Sequence, residues 1–119
     1  MAGKAFFMKR LNDHIQYLKQ IDAVVRGESD FKGTTHEACE LGQWICHEGP
    51  EEIAAMTDTR AKEVFESLLE PHERFHDLGE KALEYMKAND EDNMKAAVTE
   101  MHVVSTIITN KLLELDSMK

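Results

Sequence analysis

Phe65-Glu66-Ser67-Leu68-Leu69-Glu70-Pro71-His72-Glu73-Arg74-Phe75-His76-Asp77-Leu78-Gly79 is the stretch whose period decides the fold. Phe65, Leu68, Leu69, His72, Phe75, His76, Gly79, Leu83 and Met86 recur at steps of three and four, the spacing of one face of an α-helix. A helix is therefore predicted from a cap among Thr57 to Thr59 to about Lys87. Two imidazoles four residues apart, His72 and His76, lie on its inward stripe, where they can share one metal ion. Pro71 removes one backbone hydrogen bond and crowds the preceding turn, so a kink or break is expected immediately before His72.

Working outward, a first helix is predicted from about Lys4 to Val25, with Phe7, Leu11, His14, Leu18, Ile21 and Val25 on its stripe. His14 sits between Leu11 and Leu18, so its ring needs either a polar partner or a metal. Gly27 reads as a C-terminal stop and residues 28–33 as a loop. Thr34 with Glu37 fits a capping box, Thr35 being an equal candidate, for a second helix carrying Cys39 near its first turn. There the helix dipole favours a thiolate. Gly42, one turn on, implies a close approach to the backbone, and Trp44 is expected to close one side. Gly49-Pro50 stops that helix, and Pro50-Glu51-Glu52-Ile53 starts a further short turn.

Residues 89–92 read as a turn into a last helix with Met94, Ala97, Val98, Met101, Ser105, Ile108, Leu112 and Leu115 on its apolar face. It carries no evident ligand, and His102 falls beside that face, half in solvent. The expected fold is all-α: an antiparallel four-helix bundle with an interrupted second helix region, forming one domain over residues 1–119.

The 119 residues carry 23 acidic and 14 basic side chains, a net charge of −9 with no basic cluster, which argues against nucleic acid or an anionic membrane as partner. No apolar run approaches the roughly 18 residues of a membrane span, and the N-terminus lacks the apolar core of a signal peptide, so a cytoplasmic location is expected. Cys39 and Cys46, seven residues apart on one helix, would stand about 10 Å apart, too far for a disulfide. Free thiols in a reducing compartment fit better. The seven methionines read as core fillers or interface residues rather than copper ligands.

His14, Cys39, His72 and His76, brought together from three inward stripes, make a nitrogen and sulfur set suited to tetrahedral Zn2+ and unsuited to magnesium or calcium. These residues also carry a family resemblance. Cys39-Glu40-Leu41-Gly42-Gln43-Trp44 resembles the Cys-x-Leu-Gly-x-Trp signature of bacterial chemoreceptor zinc-binding domains. Pro71-His72 through His76 resembles that family's Pro-His-x-x-x-His element, and Asp13-His14 its first-helix histidine. Tyr17 stands where the family often has tryptophan, a difference in packing rather than ligation. The resemblance implies a metal site of His14, Cys39, His72 and His76, with His36 outside the ligand set.

It further implies a stand-alone regulatory module that senses zinc or an oxidant through its thiolate, has no catalytic activity, forms a homodimer and signals through a chemoreceptor or cyclase-type partner. Phe6, Val24, Val103 and Ile107 are spare apolar positions compatible with a dimer. Three other readings compete. His72-Glu73-x-x-His76 matches the zinc hydrolase pattern, but a hydrolase needs an open coordination position, and Glu73 turns about 100° from the stripe. A di-iron bundle would need several inward carboxylates. A helical interaction module would leave the histidines merely packed in the core.

Overall fold

The computed structural model describes residues 7–31, 33 and 39–118, and among them every regular element is helical. The order is α1 (Phe7–Val25), α2 (Glu40–Cys46), α3 (Glu48–Ala54), α4 (Arg60–Lys87) and α5 (Glu91–Met118). The short pair α2 and α3 occupies the place of one bundle helix, broken at His47, which is the interrupted second region expected from Gly49-Pro50. At about 1.5 Å rise per residue, a 28-residue helix spans about 42 Å. The lengths of α4 and α5 thus set the 49 Å long axis of a body only 20 by 17 Å across.

Two helix ends close by the same device. After α1, Gly27 has φ 75°, its N–H donates to Val24 O, and the N–H of Glu28 donates to Ala23 O. After α4, Asn89 takes φ 58°, with Asn89 N–H on Met86 O and Asp90 N–H on Tyr85 O. Both are Schellman closures, which satisfy the last carbonyls and turn the chain sharply. Asp90 then caps α5, its carboxylate accepting from the Asn93 N–H at 3.3 Å. This three-residue connection folds α5 back along α4.

The core is one continuous cluster running from Phe7 and Trp44 through Phe65, Phe75 and Ile21 to Met101, Ile108 and Leu115. Trp44 closes one end, edge-on to Phe7 (centroids 5.8 Å) and Phe65 (5.6 Å), with its Nε1–H donating to Glu52. Gly49, read as a helix terminator, lies inside α3 and has another reason to be glycine. A Cβ there would stand 2.8 Å from Trp44 O and 3.1 Å from Phe65.

Several expectations are corrected. No break precedes His72: α4 runs unbroken through the buried Pro71. One missing hydrogen bond in a 28-residue helix packed on its neighbours does not end it. Leu69 is exposed because it lies at the edge of its stripe, and Val24 is buried in the chain's own core rather than spare. The α2 helix starts at Glu40, so Cys39 precedes its first turn. Thr34, Thr35, His36, Glu37, Phe6 and residues 4–6 of the predicted first helix lie outside the described residues.

Candidate metal centre

Cys39 is the N-cap of α2. Its backbone is extended (φ −71°, ψ 161°), and its Sγ accepts the N–H of Gly42 at 3.2 Å, the place usually taken by a serine, threonine or aspartate oxygen. The close approach inferred at Gly42 is therefore made by sulfur to its amide. Because the cap fixes the Cys39 rotamer, it aims the sulfur at α4, where His72 Nε2 lies 3.2 Å from it. One turn further on, His76 packs edge-on against His72, with centroids 4.9 Å apart and planes at 88°.

Among the described residues, one ligand atom each from Cys39, His72 and His76 lie within 4.8 Å of one another. Tetrahedral zinc with ordinary Zn–N and Zn–S bonds places neighbouring donors about 3.3–3.6 Å apart, so side-chain adjustments of about 1 Å suffice to close a shell on one ion. One sulfur and two imidazole nitrogens fit zinc, and they give magnesium or calcium no oxygen. Both histidines are buried and Cys39 is half-buried.

His14 is 3% exposed and lines the same cavity, of about 300 Å³, as Cys39, His72 and His76. It is not part of the three-atom group. Its ring packs against Phe75 at 4.6 Å, and its Nε2 lies 2.8 Å from Ser105 Oγ on α5. Burial, helped by the nearby His76, lowers its pKa to about 4, so at neutral pH the ring is uncharged and has a lone pair to give.

The Cys39 thiol behaves otherwise. Burial pushes its pKa up, the Gly42 N–H pulls it down less, and the Asp13 carboxylate adds to the rise. The helix start does favour the thiolate, as expected, but desolvation outweighs it. A metal reverses this balance, because a coordinated thiol loses its proton outright.

The remaining residues fall away from this group. Glu73, the base of the hydrolase reading, is exposed, as are Cys46 and His47. His102 is exposed, 3.1 Å from Asp22 on α1. Two residues beside the site were not read as part of it. Asp13 lines the cavity with a side chain only 10% exposed; its Oδ2 accepts no hydrogen bond from the described residues and lies 3.6 Å from Lys9 Nζ and 3.7 Å from Arg10 Nη1. Ser105 had a visible signal, a hydroxyl in the middle of an apolar stripe.

With this geometry in place, a family model described as the chemoreceptor zinc-binding domain matches residues 14–83, more than half of the 119. No curated protein and no solved structure matches the chain.

Proposed function

The chain belongs to the chemoreceptor zinc-binding domain family, and from that premise we propose that it is a regulatory domain whose signal is the state of Cys39. In this reading zinc is held by His14, Cys39, His72 and His76, one ligand from α1, one from the cap of α2 and two from α4. When bound, the ion supplies a link among three helices and keeps the thiol deprotonated.

The observation that carries the proposal is the double role of one sulfur atom. Cys39 Sγ faces His72 Nε2 and also caps α2, both at 3.2 Å. Only this donor can be oxidised. A two-electron oxidant such as hypochlorous acid transfers its oxygen to the thiolate, giving sulfenic acid and chloride. The product is a weaker ligand and a bulkier cap, so both tasks fail together and α2 loosens from α1 and α4. Trp44, buried on α2 between Phe7 and Phe65, passes that loosening to the end of the bundle.

No helix of the described residues is long and apolar enough to cross a membrane. We place the domain in the cytoplasm as a homodimer that acts on a chemoreceptor or cyclase-type partner. Val103 and Ile107, 56% and 40% exposed on α5, support an interface there. The test is stoichiometric hypochlorous acid on the zinc-loaded protein, followed by released zinc and hydrogen exchange in α2. The proposal expects zinc release and faster exchange at residues 40–46 in step with sulfenic acid formed at Cys39, both undiminished in Cys46→Ser. Retained zinc with a sulfenic acid formed at Cys39 would refute it.

A further inference from the structure

The hydrogen bond between His14 Nε2 and Ser105 Oγ, 2.8 Å long, joins α1 to α5 in the interior, with Ser105 5% exposed. The family model ends at residue 83, so Ser105 and the whole of α5 lie beyond it. His14 borders the cavity of the other three candidate ligands, yet neither of its nitrogens belongs to their group. An imidazole nitrogen has one in-plane position, holding either a lone pair or a proton. Nε2 therefore serves a hydroxyl or a metal, never both. Ligation through Nε2 takes that nitrogen away from Ser105.

We propose that Ser105 is a positioning residue that competes with the metal for His14, so that loading the site breaks the α1–α5 hydrogen bond and reports occupancy to α5. The proposal rests on His14 being the fourth ligand, through Nε2. The exchange leaves no orphan, because a helical serine hydroxyl released from a partner turns back to the carbonyl one turn earlier, here Met101. It also has an outlet. The turn of α5 that places Ser105 inward leaves Val103 and Ile107 exposed. By linkage, whatever strengthens the docking of α5 on α1 through this bond weakens metal binding, and the converse.

The exchange fixes the sign of a mutational effect. If His14 is held by Ser105 only in the metal-free protein, removing the hydroxyl removes a competitor, and Ser105→Ala binds zinc more tightly by roughly 2- to 10-fold. If Ser105 instead braced a ligated His14, the same substitution would weaken binding by roughly 10- to 100-fold.

The full chain is titrated with Zn2+ against a chromogenic chelator, as wild type, S105A and H14A, and hydrogen exchange of α5 is followed with and without zinc. We expect tighter binding by S105A, and zinc-induced exchange near residue 105 in the wild type that S105A lacks. S105A binding with unchanged or lower affinity overturns the exchange while leaving the four-ligand site standing. H14A binding zinc as tightly as the wild type overturns the ligand set and this inference with it.

Discussion

Replacing Cys39 separates two contributions that one sulfur atom makes. Zinc in closed protein sites is bound with about 10–16 kcal/mol, so one ligand of four carries about 3–4 kcal/mol. Cys39→Ala should therefore lower zinc affinity by about 10²- to 10³-fold. It also deletes the acceptor for the Gly42 N–H, and loss of an N-cap costs about 1 kcal/mol. For a chain of this size that corresponds to a fall in melting temperature of about 3–6 °C in the metal-free protein. Cys39→Ser parts the two effects, because a hydroxyl caps well and binds zinc poorly. The serine variant should melt with the metal-free wild type yet bind zinc nearly as weakly as the alanine variant. The assays are competitive zinc titration and thermal melting in chelator. Undiminished affinity in both variants would remove Cys39 from the site, and alanine and serine variants with identical melting points would remove it as a cap.

Acid should destabilise the metal-free protein through His14. Its folded pKa lies near 4, below the unfolded 6.5, so the unfolded chain takes up the proton first. Stability is full above pH 6.5 and falls by on the order of 3 kcal/mol as pH drops to 4. Urea unfolding at pH 7 and pH 4.5 checks this against His14→Gln, which should lose less. Gly49→Ala should cost about 1–3 kcal/mol, because its Cβ would meet the Trp44 carbonyl at 2.8 Å. Gly79→Ala brings a Cβ to 3.2 Å from the end of the buried but unbranched Met101 side chain, a crowding that offsets a gain in helix propensity of about 1 kcal/mol, so its melting point should barely move. Val103→Glu with Ile107→Glu should leave the melting point of the monomer within a degree or two while dissociating the proposed dimer in sedimentation; a dimer that persists would move the interface elsewhere.

Much of this architecture was legible in the sequence because helical period alone turns His14, His72 and His76 inward, and all three are buried. The glycine stop at Gly27 and the short second region were equally plain, since both depend on local backbone chemistry. What escaped depended on partners distant in sequence or on unusual capping. Cysteine seldom caps a helix, and the Thr34 to Glu37 pattern drew the predicted start of α2 upstream of Glu40. Proline reads as a breaker in isolation, yet packing carries α4 through Pro71. His14 was read as needing either a polar partner or a metal, and the hydroxyl it meets is that of Ser105, 91 positions along the chain. No spacing rule links two residues so far apart.

One sulfur and imidazole nitrogens from separate helices are proposed to share a single zinc ion. Elemental analysis combined with zinc K-edge X-ray absorption on the purified protein measures this most directly. One zinc per chain is expected, with one sulfur and three nitrogen scatterers around it. A spectrum without sulfur, or protein purified with zinc in the buffer that retains none, would contradict it.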